Sequence, residues 1–375
     1  MADLVALDLP GGPQFVDALR AAWDAGAAAA PIDQRLSPPA RRRWLAALKP
    51  SWVHDPSGKH RLHGGQPVEE GDALVVATSG SEGEPRGVVL THMAIAASAR
   101  ATSARLRIDP ERHRWLACLP LSHIGGLSVV TRALLTGTAL SVLPGFDQAA
   151  VLQESGPDVA VSLVPTALRR LDPATFYLVL LGGSAPPADL PPNVVTTYGM
   201  TETGSGVVYD GVALDGVEVS VEGGEIRLRG PMLLRCYRDG TVPLDAQGWF
   251  STGDAGELGP DGHLEVRGRL SDMIVTGGEN VWPAGLESVL RRHEGVSEVA
   301  VSSRPDPEWG ERVVACVVPR DRSRPPLLDE LRALVRDHIA GFAAPRELIV
   351  MEELPKTSIG KVRRQALRES LRPPL

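Results

Sequence analysis

Residues 77–92 read ATSGSEGEPRGVVLTH, a stretch rich in bare backbone and small hydroxyls. Gly80, Gly83 and Gly87 let backbone N–H groups come close to an anion, and Thr78, Ser79 and Ser81 add hydroxyl donors. The apolar run ALVVAT (73–78) enters the loop, and Thr91 is a fit N-cap for the Ala-rich stretch after it. The loop is therefore expected to join a buried strand to a helix and to cradle phosphate. It is not a Walker A loop, because the G-x-x-x-x-G-K-[ST] spacing is absent. Two carboxylates, Glu82 and Glu84, sit in the same loop, where negative charge opposes a polyphosphate. Taken alone, the stretch reads equally well as a flexible surface loop.

Five further segments change that balance. The loop resembles the TSGSTGxPKGV phosphate loop of the adenylate-forming superfamily of acyl-CoA synthetases, firefly luciferases and peptide-synthetase adenylation domains. PLSHIGG (120–126) resembles that superfamily's aromatic/His segment, and TTYGMTETG (196–204) its YGxTE motif. GWFSTGD (248–254) resembles GWxxTGD, GRLSDMIVTGGENVWPAGLE (268–287) the hinge and the segment after it, and PKTSIGK (355–361) the C-terminal lysine motif. AGAAAAPIDQRLSPPARR resembles its early GAVxVPLNxRL region. The segments keep the family's order over nearly the whole chain. The resemblance implies a two-step reaction. A carboxylate and ATP give acyl-AMP and pyrophosphate, and a thiol then gives a thioester and AMP.

The same resemblance implies roles. Thr78, Ser79, Gly80, Ser81 and Gly83 would cradle the β- and γ-phosphates, with Arg86 in place of the usual lysine and Glu82 in place of the usual threonine. Glu82 and Glu84 are expected to face solvent and leave the binding to backbone amides. Thr201 would contact the α-phosphate. Glu202 would hold Mg2+, a hard cation that wants oxygen ligands. Tyr198, followed by Gly199, would stack on adenine, with Gly182, Gly183 and Ser184 as the other wall. Asp254, expected in a tight turn, would accept both ribose hydroxyls, with Arg269 beside it. Lys361 would reach the α-phosphate and carboxylate oxygens when a small domain closes, with Lys356 a bystander. Ser271, followed by Asp272, takes the hinge position. Gly277, Gly278, Glu279 and Asn280 would lie along the pantetheine path, and His123 at the junction of acyl pocket and thiol tunnel. Outside the resemblance each has a plainer reading. Glu202 becomes a loop carboxylate, Tyr198 a core or rim aromatic, Asp254 a turn residue, Arg269 a solvated charge, His123 a half-buried histidine and Lys361 surface charge.

These residues need elements to hold them. Residues 15–28 read as a helix, as does the stretch from Thr91 to about Arg107. RWLACL (114–119), TALSVL (138–143), DVAVSLV (158–164), FYLVLLG (176–182) and NVVTTYG (193–199) read as strands, with helices at 126–136, 147–155 and 165–171. That alternation predicts a layered α/β domain with a largely parallel sheet. From Val217 the pattern becomes β-rich, with a hairpin about Gly223-Gly224 and a strand over 262–269. A helix (283–293), strands (297–303, 312–319), a helix (327–340) and a strand (346–351) then make a compact α+β unit. With a boundary at Leu270–Asp272, residues 1–270 form the ATP- and acyl-binding domain and 271–375 the mobile C-terminal domain with Lys361, joined by a hinge. For this superfamily the chain is short, and its N-terminal subdomain is read as trimmed.

Composition narrows the class. The 375 residues carry 39 basic and 46 acidic side chains, a net charge of −7, with no strongly basic half, so nucleic acid is not expected as the main partner. Arg41-Arg42-Arg43 is expected on a solvated helix face. Cys118, Cys236 and Cys316 are far apart and have no CxxC spacing, which predicts buried thiols in a reducing cytosol rather than a metal site or disulfides. No apolar run reaches the roughly 18–20 residues of a membrane span and the start is acidic, so the protein is read as cytoplasmic. Expected ligands are ATP, Mg2+, coenzyme A and a small carboxylic acid. Homodimerisation is left open.

As for the acid, GGLS after the motif histidine and SLVPTALRRL (162–171) resemble the o-succinylbenzoate–CoA ligases of menaquinone synthesis. An aromatic dicarboxylate wants an apolar wall and a polar or cationic end, for which Arg132, Arg169 and Ser184 are candidates. Two alternatives stay open. One is a ligase of the same fold acting on a medium-chain or aryl acid, with CoA or a carrier protein as acceptor. The other, suggested by Glu82, is an acyl-AMP-binding protein that has lost ATP use.

Overall fold

The computed structural model describes residues 1–79, 85–187, 189–356 and 362–371. The chain divides into two units. One comprises Met1–Ser220, Arg227–Ser251 and Gly259–Leu264; the other comprises Val221–Ile226, Thr252–Leu258 and Glu265–Leu375.

Two seven-stranded sheets, counted among the described residues, build the first unit. One runs Cys236–Tyr237, Pro85–Thr91, Asp72–Ser79, Ala28–Pro31, Leu4–Leu7, Trp52–Asp55, Gly58–Arg61. The other runs Val212–Ala213, Ser205–Tyr209, Val194–Met200, Phe176–Leu181, Gly156–Leu163, Arg114–Ala117, Ala139–Val142. In the second, the last five strands are parallel to one another, as the βα alternation requires, while Ser205–Tyr209 runs antiparallel to Val194–Met200. The first is mixed, because Pro85–Thr91 runs antiparallel to Asp72–Ser79 and Cys236–Tyr237 antiparallel to Pro85–Thr91. The expectation of a loop joining strand to helix is corrected here. The phosphate-loop segment joins two strands, in register Thr78↔Arg86 and Ser79↔Pro85. Val88, Val89 and Leu90 are buried and pair with Val76, Val75 and Leu74, a fit role for a β-branched run. The helix waits until His92. Its N-cap is Thr91 as expected, with the hydroxyl oxygen accepting the Ala94 N–H at 3.1 Å.

Helices His92–Arg105 and Ile124–Thr136 pack on each other and bridge the sheets. The former leans on Asp72–Ser79 and Pro85–Thr91, the latter on Arg114–Ala117, Ala139–Val142 and Gly156–Leu163. Leu127 and Val130 of the second helix are wholly buried, each stabilising this layer by about 1.5–3 kcal/mol. Arg42 and Arg43 are exposed on helix Pro38–Leu48 as expected, while Arg41 pairs with the buried Asp8.

Antiparallel strands Val296–Asp306 and Gly310–Pro319 form the centre of the second unit, with Glu347–Val350 added in parallel. Helices Pro283–Leu290 and Leu328–His338 pack together over a core that includes Ile274, Leu286, Leu290, Val299 and Val335. A four-stranded sheet, order Glu218–Glu222, Glu225–Arg229, Phe250–Leu258, Leu264–Arg269, has residues assigned to both units. Its first hairpin turns at Gly223-Gly224, as the sequence predicts. A layered α/β body with a β-rich part and a smaller α+β part is the fold class that the sequence implies. All three cysteines are buried and free. Among the described residues, no helix is long and apolar enough to cross a membrane.

Candidate active site

The first unit gathers several of the expected residues around its two sheets. Strand Val194–Met200 delivers Tyr198 and Gly199, then turns through the short 3-10 segment Thr201–Thr203 into Ser205–Tyr209. The turn is pinned from inside. The buried Thr203 hydroxyl lies 2.6 Å from the Ser205 carbonyl and 2.9 Å from the Met200 carbonyl, and it accepts the Met200 N–H at 2.9 Å. Thr201 and Glu202 are thereby left half-buried at the surface of the turn. Gly199 has to be glycine, because a Cβ there would come within 2.3 Å of the Ser205 carbonyl oxygen across the strands.

Glu202 is held by a residue that no motif singled out. The Tyr237 hydroxyl donates to Glu202 Oε1 at 3.1 Å. Tyr237 itself is buried on the short strand that pairs with Val88. Burial, followed by the neighbouring Glu202 charge, pushes its phenol up to about 12, so the hydroxyl stays a donor at neutral pH. Over the ring lies Arg86, its Cζ 3.5 Å from the centroid and its Nη2 3.5 Å from Asp239 Oδ2. Thr78 is half-buried and its hydroxyl donates to the Arg86 carbonyl at 3.3 Å. The structure thus joins Arg86 and Glu202 through Tyr237, and Thr78 is tied to them by its bond to the Arg86 carbonyl. Ser79 belongs to the strand entering this corner, while Gly80, Ser81, Glu82, Gly83 and Glu84 lie outside the described residues.

Gly182, Gly183 and Ser184 come directly after strand Phe176–Leu181, which pairs with the strand that carries Tyr198. Gly182 is half-buried; Gly183 and Ser184 are exposed. His123 holds the N-cap position of helix Ile124–Thr136, its side chain making no capping bond. Its Nε2 lies 3.2 Å from Arg35 Nη2 and 3.6 Å from Asp33 Oδ2, and Arg35 forks onto Asp33 at 2.8 and 2.7 Å. Against the upward push of burial, the hydrogen bonds from His123 and Arg35 hold the Asp33 carboxyl far below the usual carboxylate range. Neither Asp33 nor Arg35 was singled out from sequence. They lie in the PIDQRL segment, whose resemblance was the available signal.

Of the three candidates for a cationic or polar end, Arg169 and Ser184 are exposed. Arg132 is only 1% exposed. Its Nη2 donates to Ser205 Oγ at 3.0 Å and its Cζ stacks 4.7 Å from the Trp115 ring centroid. Arg132 Nε and Nη1, and Trp115 Nε1, have no hydrogen-bond partner among the described residues. Burial pulls the guanidinium pKa down, yet arginine stays charged in proteins. This cation sits in the interior beside the strand that leaves the Thr201–Thr203 turn.

In the second unit Arg269 Nε meets Asp254 Oδ1 at 2.9 Å, and Arg269 Nη1 donates to the Thr252 carbonyl at 2.9 Å. The two are therefore partners, as expected. Asp254 is not in a tight turn; it is buried within strand Phe250–Leu258. The turn-like GWFSTGD composition reflects a local kink instead, where Gly253 takes φ +69° and donates its N–H to Glu225 Oε1 at 2.8 Å. Gly277 and Gly278, at φ +60° and +83°, form the two-residue turn of a hairpin, Ile274–Thr276 with Glu279–Val281. Ser271 and Asp272 sit in a 3-10 turn. Arg364 Nε meets Asp272 Oδ2 at 3.2 Å, and Arg368 Nη2 donates to the Ser271 carbonyl at 3.0 Å. Lys356 pairs with Glu298 at 2.6 Å, and Lys361 lies outside the described residues.

The half-buried carboxylate of Glu202 beside Arg86 suits a nucleotide with its metal. Mg2+ needs only one or two protein carboxylates when phosphates complete its shell.

Comparison with known proteins adds to this geometry. Residues 52–238 match the AMP-binding enzyme family and residues 285–361 the AMP-binding enzyme C-terminal domain. The chain is 39% identical over 360 residues to a Mycobacterium tuberculosis protein named "Probable 2-succinylbenzoate--CoA ligase", covering 88% of this chain and 93% of that one. It is 36% identical over 331 residues to the 2-succinylbenzoate–CoA ligase of Listeria monocytogenes, covering 79% and 70%. The o-succinylbenzoate CoA synthetase of Bacillus subtilis, solved with the acyl-adenylate OSB-AMP, superposes with TM-score 0.86 at 28% identity over 100% of this chain and 89% of that one. The same enzyme solved with ATP and a magnesium ion gives 0.84 at 28% identity, over 98% and 89%. From its motifs, its fold and these relatives, the chain belongs to the AMP-binding, adenylate-forming family of acid–CoA ligases.

Proposed function

We propose that this protein ligates 2-succinylbenzoate to coenzyme A at the expense of ATP, through an acyl-adenylate, in menaquinone synthesis. A carboxylate oxygen of the acid attacks the α-phosphorus of ATP, and pyrophosphate leaves with the bond it takes. The thiol sulfur of CoA then attacks the acyl carbonyl, loses its proton, and expels AMP. Both steps need charge held in place and water kept away from a mixed anhydride.

The observation that carries the choice of acid is Arg132. Charge in the interior is costly unless paired, and this guanidinium has two nitrogens, Nε and Nη1, with no hydrogen-bond partner and no carboxylate paired to them among the described residues. The second carboxylate of a dicarboxylic acid would supply the missing anion. In this reading Thr201 meets the α-phosphate, Glu202 holds Mg2+, and Arg86 with the 78–83 segment receives the outer phosphates. Mg2+, when bound, would neutralise charge on the phosphate oxygens. Tyr198 and the Gly182–Ser184 wall take the adenine, and Asp254 with Arg269 the ribose. His123 stands beside the acyl site, where the Asp33–Arg35 pair fixes its ring. Residues 271–375 act as a domain turning about Ser271–Asp272, which presents Lys361 for adenylation and the Gly277-Gly278 hairpin for thioester formation. Three free buried thiols fit a reducing, cytoplasmic setting.

The test is AMP and pyrophosphate release by the purified protein with Mg-ATP across a panel of acids, with and without CoA. Release should require the acid, be largest for 2-succinylbenzoate, and yield its CoA thioester. Turnover of fatty or simple aryl acids with none of 2-succinylbenzoate would refute the choice of acid.

A further inference from the structure

Two of the proposed site residues, Arg86 on strand Pro85–Thr91 and Glu202 in the 3-10 segment Thr201–Thr203, lie far apart in sequence and carry opposite charges. Tyr237 touches both. Its hydroxyl donates to Glu202 Oε1 at 3.1 Å while its ring lies under the Arg86 guanidinium at 3.5 Å. Tyr237 as a residue is 8% exposed, so packing holds it as well as its two partners. Register fixes it as well. Cys236 pairs with Val89 and Tyr237 with Val88, two residues along from Arg86. Glu202 is tied in by its backbone, its carbonyl accepting the Leu234 N–H at 2.7 Å. Asp239, on the same segment as Tyr237, pairs with Arg86 at 3.5 Å and limits where the guanidinium swings.

We infer that Tyr237 is a positioning residue, whose hydroxyl orients the metal-binding carboxylate of Glu202 and whose ring is the platform for the phosphate-binding cation Arg86. The inference rests on the functional reading above, which makes Glu202 the carboxylate for Mg2+ and Arg86 a phosphate cation. A carboxylate with one oxygen occupied by a fixed donor presents the other in a defined direction. Outer hydrogen bonds of this kind are worth 10- to 100-fold in metal affinity elsewhere. A cation stacked on a buried ring is likewise preorganised, and loses less freedom on meeting an anion. The two functions of the side chain separate by atom, and so does the test.

Calorimetric titration of the full chain with ATP, in a metal-chelating buffer and then across a Mg2+ series, reads both functions without turnover. Tyr237→Phe removes the hydroxyl and keeps the platform. The Mg2+ concentration for half-maximal tightening of ATP should rise about 10-fold, with metal-free ATP affinity within twofold of wild type. Tyr237→Leu removes both, so metal-free ATP binding should weaken as well. Arg86→Lys leaves Tyr237 in place; metal-free ATP binding should weaken while the Mg2+ midpoint stays put. A wild-type Mg2+ midpoint in Tyr237→Phe overturns the inference. So does equal weakening of metal-free ATP binding in Tyr237→Phe and Tyr237→Leu. If the tyrosine variants fail to fold, an Arg86→Lys protein whose Mg2+ midpoint moves with its ATP affinity overturns it too. Should the wild-type protein bind no ATP at all, it is the ligase reading that fails, and the two failures are thereby told apart.

Discussion

The two ends of helix Ile124–Thr136 handle polar groups in opposite ways. At its start, His123 is partly open to solvent, yet Asp33 and Arg35 surround it, and their own bonds are satisfied within the cluster. Nine residues on, Arg132 is buried and has one neutral partner, Ser205, while two of its nitrogens meet no acceptor among the described residues. Solvent would make unsatisfied donors cheap at the first end and makes them expensive at the second. The difference teaches where a ligand belongs. A cluster whose bonds close on themselves is stable as it stands, whereas a buried cation short of an anion is where the proposed function puts the acid's second carboxylate.

The largest expected effect lies outside both ends. Lys361→Ala should lower adenylation about 10²- to 10³-fold for every acid, while thioester formation from supplied acyl-adenylate persists. Equal loss in both half-reactions, measured by pyrophosphate release and thioester formation, would contradict the role given to Lys361. Arg132→Met comes next and attacks the comparison directly. The kcat/KM for 2-succinylbenzoate relative to a monocarboxylic aryl acid should fall about 10- to 100-fold, the worth of a charge-assisted hydrogen bond or two. Its melting temperature should hold or rise, since an unpaired buried charge is removed. A lower melting temperature with an unchanged acid preference would make Arg132 a structural group.

Asp33→Asn tests the complete end. It should cost about 1.5–3 kcal/mol in urea unfolding at pH 7, by removing the anion shared by Arg35 and His123. The Asp33 carboxyl is held below its ordinary value, so its contribution is present above the unfolded carboxylate pKa of about 3.9 and is lost as pH falls through the folded value. Wild type and variant should therefore differ between pH 5 and 8 and converge in strong acid. Ser205→Ala should be the mildest, about 0.5–1.5 kcal/mol, because Arg132 loses a single neutral acceptor.

Much of this was legible in the sequence, for physical reasons. Strands such as Asp72–Ser79 and Phe176–Leu181 are apolar runs bounded by glycine or proline, and Thr91 is a cap with a side chain suited to that job. The misreadings are instructive too. Pro85–Thr91 was passed over because the glycine-rich loop ahead of it suggested a helix start, although Val88–Leu90 already favoured a strand. Leu4–Leu7 and Ala28–Pro31 are four residues each, and alanine has little strand preference, so their parallel pairing leaves no local signature. Asp254 seemed a turn residue because threonine, glycine and aspartate do make turns; the strand is set by pairing from elsewhere. Tyr237 and the burial of Arg132 were invisible for another reason. Each depends on contacts more than thirty residues away, and arginine on a helix is ordinarily solvated.

The central claim, acyl transfer through an adenylate of a dicarboxylic aromatic acid, can be seen in one reaction. The protein is incubated with Mg-ATP and 2-succinylbenzoate, CoA is withheld, and the bound material is analysed by mass spectrometry after rapid denaturation. The account predicts a species with the mass of 2-succinylbenzoyl-AMP, which disappears on adding CoA as the thioester and AMP form. Unreacted ATP and acid alone, from protein that binds both, would contradict it.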